Sequence, residues 1–196
     1  MGLAESQKFL ARLSTDPALR ARFASDPVAV ATEFGLSFDE RRSFEELTPG
    51  PITGFAGSLI GKRRGEVESL LPLTVRALGP DRFARLFRQH AANFVPAGIK
   101  KHRDDAVTFA RWLAREVADP AWLADLASLE AAALRTYSQG RRLDCVALKY
   151  RPTDLVQATA ANPIPRRASL VIWFRISRNG RLRQVIFSRP NVPGLY

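Results

Sequence analysis

The apolar period of the chain changes once, at Gly140, and that change limits the fold more than any other feature. Before Gly140, apolar residues recur three and four apart; after it they alternate or gather in β-branched and aromatic runs. A chain written this way is α+β: a mainly helical N-terminal bundle followed by a small antiparallel β-sheet module. With 196 residues it can bury a core without disulfide staples. A composition of 46% hydrophobic and 25% charged residues excludes a largely disordered or collagen-like chain.

The boundaries follow from breakers and caps. In the first segment, 1–48, Asp16-Pro17 and Asp26-Pro27 predict two helix starts, each with an acidic cap and proline at the first helical position. Phe9, Leu10 and Leu13, then Leu19 and Phe23, then Val30 and Phe34 supply the apolar faces of these short helices, and Gly35 is the expected stop. Asp39–Glu46 is a charged run, and Thr48-Pro49-Gly50-Pro51 reads as a turn or linker. A bundle is expected over 53–140. Its helices are predicted over Phe55–Leu71 with a bend or end at Pro72, over Asp81–Asn93 after Gly79-Pro80, and over Asp104–Val117 after a break at Val95–Gly98. Asp119-Pro120 is expected to cap a last long helix that holds Trp122, Leu126, Leu129, Leu134 and Tyr137 and ends at Gly140.

The third segment, 141–196, is read as a strand at Leu143–Tyr150, a helical turn at Asp154–Thr159, a proline-containing loop at Ala161–Arg167 and a β-hairpin. The hairpin runs Leu170–Ile176 and Leu182–Phe187 flank Asn179-Gly180, a dipeptide that favours the positive φ of tight hairpin turns. With the strand near Val146 the hairpin predicts a three-stranded antiparallel sheet packed on the bundle.

Charge separates the same segments. The chain carries a net +11, and residues 141–196 hold eleven arginines and lysines against Asp144 and Asp154, a local +9. A basic module is therefore attached to a nearly neutral body. Such a module suits an acidic peptide, nucleic acid or anionic lipid. The single Cys145 excludes an internal disulfide and, with only two histidines, an ordinary structural zinc site. A reducing, cytoplasmic location is expected, since no run of about 18 apolar residues and no secretion signal is present. Met1-Gly2 opens a stretch that fits the loose myristoylation pattern, a pattern that recurs by chance.

Catalytic constellations are missing from the sequence: it has no P-loop, no dinucleotide-binding glycine pattern, no zinc-protease helix and no nucleophile elbow. The histidines His90 and His102 flank a loop and are read as solvated or loop-capping residues. Asp104 and Asp105 stand at a predicted helix start, where the macrodipole explains acidic residues. Cys145 is expected to pack in a strand, and Trp112 and Trp122 in the core. Lys62-Arg63-Arg64 reads first as a solvated helix face. The predicted sheet is the candidate binding site: an exposed strand edge accepts an extended peptide through its main chain, and Arg175, Arg181 and Arg183 beside it favour an acidic one. Val171, Trp173 and Val185 complete the expected peptide-binding set.

Two stretches, Ser58–Gly79 with its Gly-Lys-Arg-Arg-Gly core and Trp122–Glu130 with Arg135-Thr136-Tyr137, resemble helper proteins of multinuclear non-haem iron-dependent oxidative enzymes. These pairs act in ribosomal peptide natural-product biosynthesis of the methanobactin, bufferin and thiaglutamate (pearlin) type; related helical domains have also carried a DNA-binding label. The resemblance covers roughly 53–140. It implies a non-catalytic subunit without a cofactor of its own, with iron held by the partner enzyme. The helices would bind that enzyme, with Lys62, Arg63 and Arg64 as candidate contacts, and the C-terminal sheet would receive the leader of a cysteine-containing precursor peptide. Phe9–Gly35 is similar to the helical leader-type domain that opens some peptide precursors and small dioxygenase subunits. The alternative is a DNA-binding regulator, which the net charge supports; no helix-turn-helix with a basic second helix accompanies it.

Overall fold

The computed structural model describes residues 3–45, 49–96, 101–136, 142–159, 164–177 and 180–188. Among them, helices α1 (Leu3–Thr15), α2 (Pro17–Ser25), α3 (Pro27–Glu33), α4 (Phe38–Glu45), α5 (Pro49–Leu70), α6 (Pro72–Leu78), α7 (Pro80–Asn93), α8 (Lys101–Glu116) and α9 (Leu123–Thr136) precede β1 (Leu143–Leu148). Helix α10 (Pro152–Gln157), β2 (Ser169–Phe174) and β3 (Arg183–Ser188) complete the chain order. The fold is thus mainly helical with a small three-stranded antiparallel sheet, in the order β1-β2-β3. The chain divides into two compact units, Met1–Gly65 with Ala91–Val95, and Glu66–His90 with Pro96–Tyr196.

In the first unit both Asp-Pro pairs start helices. The Asp16 carboxylate accepts the Leu19 N–H at 2.9 Å and Asp26 accepts that of Ala29 at 2.9 Å, each satisfying a donor that a helix start leaves orphaned. Gly35 takes a φ of 69° at the expected stop, a conformation closed to most side chains. Phe9 is the centre of the core these helices enclose. Its ring meets those of Phe23, Phe34 and Phe44 at centroid distances of 5.6, 4.9 and 5.0 Å, and Leu13, Leu19, Val30 and Leu36 fill the space around them.

The charged run after Asp39 is helical, and its start is held by Glu40. Ser37 N–H and its hydroxyl both donate to the Glu40 carboxylate, at 2.8 and 2.7 Å, while the Ser6 hydroxyl of α1 donates to the other oxygen at 2.7 Å. This is a capping box that also staples α4 to α1. The Ser6 bond, then those of Ser37, hold the Glu40 carboxyl down to about 2.

In the second unit α9 is the common support: α8, α6, α10 and β1 all pack on it. Leu123, Leu126, Ala127, Leu129, Ala131 and Ala132 are buried around most of its circumference. On the neighbouring helices, Phe83 and Phe87 of α7 meet Phe109 of α8 edge-on at 5.2 and 5.3 Å. Glu130 of α9 is buried and accepts the Leu73 N–H, the Thr74 N–H and the Thr74 hydroxyl at 2.8, 2.8 and 2.6 Å. Proline at the first position of α6 removes one orphan donor and Glu130 satisfies the next two. Burial outweighs these bonds and pushes the Glu130 carboxyl up.

Several boundaries differ from expectation. Helix α5 starts at Pro49 rather than Phe55, because Pro49 and Pro51 fall in its first turn, where a missing N–H and a φ fixed near helical values cost little; Thr48 lies outside the described residues. Helix α8 starts at Lys101, ahead of Asp104. Asp119 does not cap α9: its carbonyl accepts Arg82 Nη2 at 2.6 Å, the chain turns through Ala121 and Trp122, and the helix begins when Leu123 N–H donates to Pro120 O at 2.9 Å. The hairpin ladder ends at Phe174–Arg183, short of Asn179-Gly180. Gly180 is outside the left-handed region; its requirement is space, since a Cβ there would lie 2.8 Å from Ser177 Oγ. Tyr137, Gly140, Asn179 and Met1-Gly2 lie outside the described residues.

Two outcomes follow. Glu130→Ala leaves two backbone donors and a hydroxyl without their acceptor and is expected to cost about 2–3 kcal/mol in denaturant unfolding, with a smaller cost for Glu130→Gln, which keeps one acceptor oxygen. Glu40 ionises lower in the folded chain than its ordinary value of 4.5, so its contribution is present above 4.5 and fades as pH falls toward about 2. Amide exchange in α1 and α4, compared with that in α9, is expected to quicken across that window in the native chain; in Glu40→Gln it is faster at pH 6 and changes less on acidification.

Candidate functional site

The sheet is built so that its two faces differ. Register pairs Leu143, Cys145 and Ala147 of β1 with Phe174, Ile172 and Leu170 of β2, and these with Arg183, Val185 and Phe187 of β3. Cross-strand partners share a face, so these nine residues form one surface of the sheet. The other surface carries Val146 and Leu148, then Ser169, Val171 and Trp173, then Gln184, Ile186 and Ser188. It is this second surface that α9 covers: Val171 is fully buried and Trp173 is 5% exposed.

Helix α9 grips β1 at both ends. Arg135 Nε and Nη2 donate to the two oxygens of Asp144 at 2.9 and 3.2 Å, a bidentate pair, and Asp144 also accepts the Cys145 N–H at 2.9 Å. At the other end the Asp125 carboxylate accepts the backbone N–H of Lys149 and, at 3.1 Å, of Tyr150; burial pushes its carboxyl up against those bonds. The sheet ends on β3, which pairs with β2 on one side only among the described strands. Ser169 and Ser188 hydroxyls meet at 2.9 Å and close that end of the ladder.

The candidate peptide-binding residues therefore separate into three groups. Val171 and Trp173 are corrected: both belong to the face beneath α9 and pack the sheet on the helix, beyond reach of a ligand at an edge. Arg175 is half-buried and internally engaged; its N–H extends the ladder to Arg142 O at 2.8 Å and its Nη1 donates to Gly180 O at 3.2 Å, closing the loop between β2 and β3. Arg181, Arg183 and Val185 are exposed on or beside β3, and the two arginines have no acidic partner among the described residues. On α5, Lys62 is exposed, whereas Arg63 is half-buried and donates to Phe94 O at 2.9 Å; Arg64 is half-buried and internally engaged.

Cys145 stands in β1, in a strand as expected, on the face away from α9, where it is exposed. Two smaller readings are corrected. His90 is not solvated but 3% exposed, with Nε2 3.3 Å from Oδ1 of the fully buried Asp105, among the rings of Phe87, Phe109 and Trp112. Asp105 is consequently a core partner of histidine rather than a dipole residue; Asp104, exposed in the first turn of α8, keeps that role. Among the described residues no three His, Cys, Asp or Glu side chains converge as a metal site would require, and no helix is long and apolar enough to cross a membrane.

Residues 51–115, about a third of the chain, match the family described as SCO6045-like, C-terminal domain. That description names no activity, substrate or partner. No curated protein matches the sequence significantly.

The contrast between Asp104 and Asp105 is open to test. Asp105→Ala leaves the buried imidazole without its carboxylate and is expected to cost on the order of 3 kcal/mol. Asp104→Ala, at an exposed position, is expected to cost below about 1 kcal/mol in the same denaturant titration.

Proposed function

We propose that this chain is a non-catalytic partner subunit of a multinuclear iron-dependent peptide-modifying enzyme, and that it recruits the leader of a cysteine-containing precursor peptide as a fourth strand on β3. The observation that carries the reading is an edge strand with an unpaired side flanked by two exposed arginines that lack acidic partners among the described residues. Main-chain hydrogen bonds along that edge supply affinity, and Arg181 and Arg183 select acidic residues in the leader. The residues of 58–79 that resemble helper proteins fall inside the matched segment 51–115, in the helices that this reading assigns to the enzyme. Lys62 is the contact retained there, since Arg63 is engaged with the Phe94 carbonyl and Arg64 is half-buried and internally engaged. Iron belongs to the partner in this reading. The competing reading, a DNA-binding regulator, is favoured only by the net charge of +11.

Co-expression with the products of neighbouring genes, affinity purification, mass spectrometry and iron analysis decide between them. The expected result is an iron-containing enzyme and a cysteine-bearing peptide in the eluate. Arg181→Glu with Arg183→Glu is expected to lower peptide recovery about tenfold or more at low salt while the enzyme is retained and the helical circular dichroism is unchanged. Recovery of this chain alone, carrying nucleic acid through moderate salt, would give first place to the DNA-binding reading.

A further inference from the structure

The surface of the sheet opposite α9 is apolar and, among the described residues, uncovered. Leu143 is 62% exposed and Phe187 58%, with Val185, Leu170 and Cys145 also exposed between them. Contiguous apolar surface of this kind on a folded unit marks an interaction site. Three six-residue strands at about 3.3 Å per residue and about 4.8 Å between strands give a patch roughly 20 Å long and 10 Å across. These are the dimensions of three to four turns of an α-helix, about 5.4 Å each and 10 Å wide.

The face also limits the backbone of its occupant. A sheet surface presents side chains, and its own N–H and C=O groups point along the sheet toward neighbouring strands. An extended segment laid across it would bury polar groups without partners, whereas a helix satisfies its own. Charge limits the sequence. Arg183 continues the row of Leu143 and Phe174 on this same face, Arg181 follows beside it, and neither has an acidic partner among the described residues. A second copy would bring two +9 segments together; an acidic segment would neutralise this one.

We infer that this face is a docking site for an amphipathic acidic helix, with its apolar stripe on Leu170, Cys145, Val185 and Phe187 and its carboxylates toward Arg181 and Arg183. The inference rests on the reading of the sheet as a peptide site only for its biological source, the part of a leader that lies beyond the strand paired with β3.

Cys145, the chain's single cysteine, sits on β1 at the far side of β2 from β3 and reports on the face without any substitution. The test follows its reaction with a chromogenic disulfide in the full-length chain. Probes are a synthetic peptide of about 18 residues with leucines at helical spacing and glutamates elsewhere, the same composition with leucines at every second position, and anionic phospholipid vesicles. The helical probe is expected to slow the reaction about fivefold or more, and Leu143→Glu or Phe187→Glu to weaken its binding at least about tenfold. Two sites on different strands guard against a variant that misfolds. Glutamine in place of the probe's glutamates is expected to weaken binding at low salt but not at high salt.

Cys145 left fully reactive under saturating helical probe overturns the inference. If the alternating probe still binds in that case and binding falls in Arg181→Glu/Arg183→Glu, edge pairing survives alone; if neither binds, both readings fail. Protection by vesicles alone, or by raising the protein concentration alone, assigns the face to lipid or to a second copy and likewise overturns it. So does a thiol unreactive in the free chain that becomes reactive when residues 189–196 are removed, which assigns the face to the chain's own tail.

Discussion

A buried helix that carries three charged side chains must find partners for them, and in α9 those partners fix the places of α6 and β1. Glu130 takes the start of α6, Asp125 takes the backbone at the end of β1, and Arg135 takes Asp144 near the beginning of β1. The apolar stripes of α8 and α9 allow sliding at little cost, because one aliphatic contact replaces another. Charged and backbone groups do not slide: each displaced bond leaves a buried donor or acceptor unpaired. Two anchors on one strand also set which side chains of β1 face the helix. With a period of two, that choice commits the whole sheet, and Val171 and Trp173 of β2 follow Val146 and Asp144 toward α9.

The reach of α9 then explains the uneven exposure of the sheet. The helix contacts β1 most and β2 less, so the covered side of β3 overhangs it and Ile186 remains exposed although its partner Val171 is fully buried. An edge strand with both faces open is an aggregation hazard, which proteins restrain with charge. Arg181 and Arg183 stand where such a restraint is needed. Solubility alone accounts for cations at this position, so their value as evidence of function comes from their lack of acidic partners among the described residues beside an unpaired strand, and less from their number.

Much of the fold was legible because the signals were local. Asp16-Pro17, Asp26-Pro27, Gly35, Pro72 and Gly79-Pro80 each act within one turn, and each marks a boundary where it was read. The capping box of Ser37 and Glu40 has the same local character and was open to reading in Ser-x-x-Glu. What failed depended on distant neighbours. His90 and Asp105 are 15 positions apart, and whether they are solvated or paired in a core is decided by how α7 lies on α8, which no local pattern states. Cys145 shows the limit for strands: alternation says that Leu143, Cys145 and Ala147 share a face, and only Arg135 and Asp125 decide which face that is. The hairpin ladder stops short of the glycine: its last pair is Phe174–Arg183, and beyond it the Arg175 guanidinium donates to Gly180 O while Gly180 N–H donates to Ser177 O.

In the proposed reading the exposed edge and the exposed face of one sheet recognise different things, and their proximity matters more than either alone. An edge reads main chain and is nearly indifferent to sequence, so strand addition by itself discriminates poorly between peptides. A face reads apolar spacing and, through Arg183 at its margin, charge; it cannot bind the backbone at all. A peptide that engages both presents an extended segment and an adjoining helix, and its second contact is made at the high effective concentration set by a short connection. Two weak surfaces joined in this way would give selectivity that neither has alone, and each by itself would still let the peptide leave. That is what the proposed role, recruiting a peptide for another enzyme to transform, would require of a binding site.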